Sequence, residues 1–178
     1  MKTISILKNT VQEYAWGSYT AIAELSGKNT PSDRPQAELW MGAHPKAPSM
    51  VKYGGKWISL LELIKDNPED ILGKEVAQKF NNTLPYLFKV LAAAKPLSLQ
   101  AHPSKKQAIS GFEKENRLRI PLDAYNRNYK DDNHKPECIC ALTPFWALNG
   151  FRRVSEILLL MEKICPQGLA GELDDLRN

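Results

Sequence analysis

Cysteine is scarce: Cys138, Cys140 and Cys165 are the only three in 178 residues. An odd count without a secretory leader excludes the disulfide framework of a small secreted domain and points to reduced thiols in a cytoplasmic protein. The first ten residues offer no apolar stretch behind Lys2, so they are not read as a signal peptide. Long hydrophobic runs are also lacking, and nothing approaches the roughly 18–20 apolar residues of a bilayer-spanning helix. Nor is there a Lys/Arg run fit for a nucleic-acid arm: the net charge of +4 comes from 24 basic and 20 acidic residues, with the signs interleaved. So mild an excess suits a small anionic substrate, or simply a solvated surface. What remains is ordinary globular composition, 43% hydrophobic and 25% charged, in a length that fits one domain or one and a fraction.

Turn formers punctuate the first third of the chain, at Gly17-Ser18, Ser26-Gly27-Lys28-Asn29 and Thr30-Pro31-Ser32-Asp33. Between them, segments such as Ile4-Ser5-Ile6-Leu7 read as short strands. Gly54-Gly55-Lys56 predicts a hairpin joining Met50–Tyr53 to Trp57-Ile58. Ser59 with Glu62 has the pattern of a capping box opening a helix over 60–65. A second short helix is expected between Asp70 and Phe80, a strand over 86–90, and a helix over 105–116. Leu97-Ser98-Leu99-Gln100-Ala101-His102 alternates apolar and polar residues, the mark of a strand with one buried face. After a long polar loop from Arg119 to Asp132, Glu137–Leu142 is expected as another strand. Cys138 and Cys140 then read as alternate residues of that strand rather than half a metal motif, because C-x-C has no second pair here. From Val154 the apolar residues Ile157, Leu158, Met161 and Ile164 fall at helical spacing. The expected organisation is therefore a mainly β region over 1–152, with seven or eight short strands, and the start of a helical region over 153–178 whose pattern breaks off unfinished.

Two constellations carry chemistry. On a strand, Gln100 and His102 would project to one face, so an amide oxygen and an imidazole could reach one cation. In Asp131-Asp132-Asn133-His134-Lys135-Pro136-Glu137, Glu137 is an anionic ligand candidate, and Pro136 restricts Lys135 to an extended conformation. A nitrogen- and oxygen-donor set of this kind suits a borderline cation such as zinc.

Gln100-x-His102-Pro103 after Leu97-Ser98-Leu99, with Asp132-Asn133-His134-Lys135-Pro136-Glu137, resembles the signature of the type I mannose-6-phosphate isomerases. Tyr14-Ala15-Trp16-Gly17-Ser18, Ala37-Glu38-Leu39-Trp40-Met41-Gly42-Ala43-His44-Pro45 and Leu84-Pro85-Tyr86-Leu87-Phe88-Lys89-Val90-Leu91 agree, as do Thr143-Pro144-Phe145 and Gly150-Phe151-Arg152. The motifs keep the family's order and span roughly Tyr14 to Arg152. One departure is Trp146 and Asn149, where the family pattern leads one to expect an acidic and a small residue.

The resemblance implies a cupin-type jelly-roll catalytic domain, incomplete over 1–152, interrupted by a helical insertion that begins near 153. It implies one zinc ion per chain held by Gln100, His102 and Glu137, with a fourth ligand, a His, and a substrate-binding Arg supplied by later sequence. His44 and His134, the two other histidines, belong to other motifs. The implied reaction interconverts mannose 6-phosphate and fructose 6-phosphate through a cis-enediol, with a small sugar phosphate as partner and neither nucleic acid nor membrane. His134 is the candidate proton carrier; Lys89 and Lys135 are candidates for holding phosphate or enediolate charge. Ser98, Trp16 and Glu38 are candidates for lining the substrate pocket, and His44 reads as structural. On this reading residues 1–178 alone are expected to be inactive. A non-catalytic cupin-type sugar- or metal-binding fragment is the alternative; a metal-dependent cupin oxygenase would need a repeated H-x-H, which the sequence lacks.

Overall fold

The computed structural model describes residues 4–164 and 167–178; Cys165 lies outside them. The chain forms two compact units, Met1–Ala101 and His102–Asn178.

The first unit carries two three-stranded antiparallel sheets. One has the order β1 (Leu7–Lys8), β4 (Met50–Tyr53), β5 (Lys56–Ser59). Its hairpin closes on Gly54 and Gly55, with φ of 56° and 81°, and Tyr53 faces Lys56 across it. Two successive positive φ values let the turn follow the right-handed twist of its strands, and two glycines reach them without steric cost. Lys8 lies over the Trp57 ring at 4.1 Å. The other sheet places β3 (Glu38–Met41) between β2 (Thr10–Gln12) and β6 (Phe88–Leu91). Along β3 the burial alternates, with Glu38 and Trp40 buried and Leu39 and Met41 half-buried. Trp16-Gly17-Ser18 runs beside this sheet through bridges from Gly17 to Ala93 and from Ser18 to Gln36. Gly17 is required there, since a Cβ would sit 2.6 Å from the backbone of Gln36 and Ala37.

Helices α1 (Ala21–Leu25), α2 (Leu60–Asp66), α3 (Pro68–Leu72) and α4 (Lys74–Lys79) complete the unit. Ile22, Leu63, Ile64 and Ala77 bury their apolar faces. The helix expected between Asp70 and Phe80 is divided in two at Gly73, whose φ is 82°. Ser59 does precede α2, but its side chain makes no capping bond, and its buried hydroxyl is without a partner. The first N–H of that helix is instead taken by the Ser49 carbonyl at 2.9 Å.

The second unit begins with α5 (Lys105–Arg117), opened by a complete capping box between Ser104 and Gln107. An irregular segment follows, then α6 (Val154–Ile164), a short 3-10 turn (Gln167–Leu169) and α7 (Ala170–Arg177). Arg177 of α7 ties to α6 through Glu162 at 3.1 Å and pairs within its own helix with Asp174 at 2.8 Å.

Several expectations need correction. Neither 97–102 nor 137–142 is a strand, and both are exposed throughout. Alternation marks a face that could be buried, but a strand exists only when another strand satisfies its N–H and C=O groups, and among the described residues neither segment enters a strand ladder or β-bridge. Cys138 and Cys140 are accordingly exposed, not half-buried. The first strand starts at Leu7, leaving Ile4 and Ile6 exposed. The described residues thus form six strands of two to four residues, not seven or eight. No helix among them is long and apolar enough to cross a membrane.

Candidate active site

In the first unit Glu38 and Lys89 lie on the β2–β3–β6 sheet, and the Trp16-Gly17-Ser18 segment runs beside it. Antiparallel register sets Trp40 directly opposite Lys89, with Glu38 two residues along β3 on the same face. Lys89 therefore meets two side chains of β3 that are remote from it in sequence. The Trp40 indole N–H donates to the Glu38 carboxylate at 2.5 Å, and the Lys89 ammonium pairs with the same oxygen at 3.4 Å. Lys89 also stands 5.4 Å from the Trp40 ring centroid. Glu38 thus holds both the ring and the cation, and Lys89, more than a third exposed, keeps access to solvent.

Around this trio lie Lys46 and Tyr14, which the sequence reading left without a role, together with His44 and Trp16. Lys46 is 5.8 Å from the Trp40 centroid and 5.5 Å from that of Tyr14, and its ammonium reaches the Tyr14 hydroxyl at 3.4 Å. His44 meets the Trp40 ring edge-on at 4.8 Å. Trp16 stacks on Tyr14 with centroids 5.8 Å apart. Trp40 and Tyr14 fall inside the quoted motifs and Lys46 directly follows one; only the folded chain shows that they converge. Two ammonium groups beside one indole make a place where an anion would be attracted. Ser98 and Gln100 are exposed near the end of this unit.

The second unit holds His102, His134, Lys135 and Glu137. His102 and Lys135 are brought together: the His102 Nδ1 lies 2.9 Å from the Lys135 carbonyl oxygen. A carbonyl only accepts, so Nδ1 carries the proton and donates. Between these points Lys105 donates to the Asp132 carbonyl and to Asn133 Oδ1, each at 2.9 Å. His134 therefore sits between two anchored residues, and like Glu137 it is exposed.

Deeper in this unit are two charged residues that the sequence did not flag. The Arg127 side chain is fully buried and pairs with Glu115 at 3.1 Å. Burial works to raise the Glu115 pKa, but N–H donors of Tyr129 and Asn128, with the Arg127 guanidinium, outweigh it and hold the carboxyl below its ordinary value.

The donor set suits a zinc ion in kind. An imidazole protonated at Nδ1 carries its lone pair on Nε2, and a carbonyl partner on the other nitrogen is the usual way a metal-binding His is oriented. Gln100 and Glu137 add oxygen donors. Among the described residues no three His, Cys, Asp or Glu side chains cluster; a Gln–His–Glu set contains only two of those types. Depressions of about 470 Å³ beside Lys28 and Arg34 and about 240 Å³ beside His44 and Leu61 include none of the candidate catalytic or metal residues.

The catalytic-domain model of the type I phosphomannose isomerases matches residues 4–154, and the chain belongs to that family. It is 54% identical over 159 residues to the mannose-6-phosphate isomerase of Escherichia coli K12, covering 89% of this chain and 40% of that protein. With the human mannose-6-phosphate isomerase it shares 41% over 169 residues, covering 89% and 37%. A solved structure of the Salmonella typhimurium mannose 6-phosphate isomerase, bound to substrate and a zinc atom, superimposes with a TM-score of 0.81 at 50% identity, over 96% of this chain and 44% of that one. The chain thus spans about 40% of the length of the curated relatives it matches.

Proposed function

We propose that this chain is part of a zinc-dependent mannose-6-phosphate isomerase that interconverts mannose 6-phosphate and fructose 6-phosphate. The family match over residues 4–154 carries the reading. On this proposal residues 1–152 belong to a cupin-type jelly-roll catalytic domain, and 153–178 begin a helical insertion; the start of α6 at Val154 and the end of the family match at 154 support that boundary.

Gln100, His102 and Glu137 would hold the zinc, with the His102 tautomer already suited to it. The bound cation would supply a Lewis acid that polarises the sugar oxygens or orients them. The remaining work falls to the chain's own groups. Isomerisation moves a proton between C1 and C2 through a cis-enediol, so it needs a base; His134, whose neighbours on both sides are fixed, is assigned that role. Lys135 beside it, and Lys89 on β6, would hold the phosphate or the developing enediolate charge. Ser98, Glu38 and Trp16 would line the sugar pocket, with Glu38 fixing Lys89.

The test, made on the longer protein of which this chain is proposed to be part, is exchange between the two sugar phosphates, followed with and without a chelator and with metal analysis of the purified protein; residues 1–178 alone are expected to give none. Exchange lost on metal removal and restored by zinc is expected. Full activity in metal-free protein would overturn the zinc assignment, and absence of exchange in zinc-loaded protein would overturn the reaction.

A further inference from the structure

We infer that helix α5 is a splint for the metal-binding loop, with Arg127, Glu115, Gly111 and Lys105 as positioning residues; this rests on the zinc reading above. The segment after the helix runs back along it, antiparallel, and is tied at successive levels. At the C-terminal end, Glu115 accepts from the backbone N–H of Tyr129 at 2.8 Å and of Asn128 at 3.1 Å. Arg127 donates to the Tyr129 carbonyl at 2.6 Å and to the Ile120 carbonyl and Asn116 Oδ1, each at 2.8 Å. Both peptide groups of Tyr129 are therefore gripped by buried charges. One turn back, the Tyr129 ring lies so close over Gly111 that a Cβ there would come within 2.5 Å of it. At the first turn Lys105 holds Asp132 and Asn133, and just before the helix His102 holds the Lys135 carbonyl.

The lengths agree. From Glu115 back to Lys105 the helix covers on the order of 15 Å, and from Tyr129 to Asn133 an extended chain covers at most about 14 Å. Little slack remains before His134, Lys135 and Glu137. A buried ion pair adds little net stability compared with a well-packed apolar pair, and its best-attested use is to fix one geometry. Here the geometry it fixes is the path of the chain that meets His102, two residues before the proposed ligand Glu137.

The experiment titrates the longer protein of which this chain is proposed to be part with zinc against a chromophoric chelator and maps amide hydrogen exchange, in wild type, Gly111→Ala, Gly111→Ala/Tyr129→Ala and Lys105→Ala. Lys105 is 45% exposed, so its loss leaves the fold intact even where Gly111→Ala does not. A residue that only orients a metal ligand is worth roughly 10–100-fold in affinity. Gly111→Ala and Lys105→Ala are expected to weaken zinc by that factor and to speed exchange over 130–137. In the double variant, removing the Tyr129 ring makes room for the added methyl group and is expected to restore most of the loss. Wild-type affinity in Lys105→Ala and Gly111→Ala overturns the inference alone, as does faster exchange with unchanged affinity. A wild-type protein that takes up no zinc overturns the zinc reading and this inference with it.

Discussion

Replacing Glu38 separates two contributions that meet on one carboxylate. Trp40 is only 6% exposed, and its indole N–H has Glu38 as acceptor. Glu38→Ala leaves that donor buried and unsatisfied, at a cost of about 1–3 kcal/mol. It also removes the pair with Lys89, but Lys89 is 37% exposed, so solvent screening limits that loss to about 1 kcal/mol or less. Together the expected destabilisation is about 1–4 kcal/mol. Glu38→Gln keeps an oxygen for the indole and loses only the ion pair, so about 1 kcal/mol or less is expected. Urea unfolding followed by circular dichroism and tryptophan fluorescence measures both, with unchanged slope showing that stability alone has moved. If Gln proves as damaging as Ala, charge rather than the indole hydrogen bond dominates and the reasoning fails. A loss under about 0.5 kcal/mol in Ala, the usual scatter of surface substitutions, would refute it as well.

Gly17→Ala meets backbone at 2.6 Å while Gly27→Ala meets nothing within 4 Å and is strained only by its φ of 63°; about 3 kcal/mol is expected for the first and about 1–2 kcal/mol for the second, read from denaturation midpoints. The folded Glu115 carboxyl titrates below its ordinary value of 4.5, so its ionised form stabilises the fold above that pH, and the contribution is lost as pH falls through the lower, folded value. Wild type should therefore lose stability below pH 4.5 more steeply than Glu115→Gln in a series of thermal melts; parallel curves would contradict the assignment. Glu137→Ala should weaken zinc by more than the roughly 100-fold upper bound for a residue that merely orients a ligand, as measured by chelator competition.

Local signals were legible where one stretch of backbone decides the outcome. The two glycines of the β4–β5 turn, the apolar stripe of α6 and the strand around Lys89 were all readable. Capping shows the limit of such reading. Ser59-x-x-Glu62 and Ser104-x-x-Gln107 carry the same pattern, yet only the second forms the box. Ser59 also ends β5, where it faces Met50, and the Ser49 carbonyl already satisfies the first helical N–H. The backbone had another partner, which the local pattern cannot reveal. The segments 97–102 and 137–142 fail for the complementary reason: their alternation is genuine, but pairing is a property of two segments and cannot be read from one.

The same distinction governs the candidate site. Residue identities were legible because the motifs name Glu38, Lys89, His102 and Lys135. Their neighbours were not, because Glu38 meets Lys89 only through the β3–β6 register, and His102 meets the Lys135 carbonyl only because the intervening chain folds back along α5. Glu115 and Arg127 escaped notice for an energetic reason. A carboxylate inside a polar helix and a guanidinium in a polar loop are ordinarily solvated, and no local pattern signals that they desolvate together. Only the structure shows that both peptide groups of Tyr129 offset that desolvation with charge-assisted hydrogen bonds. The arrangement makes the position of the loop depend on residues that never touch the proposed substrate, so substitutions there should alter metal affinity without altering the chemistry of any ligand.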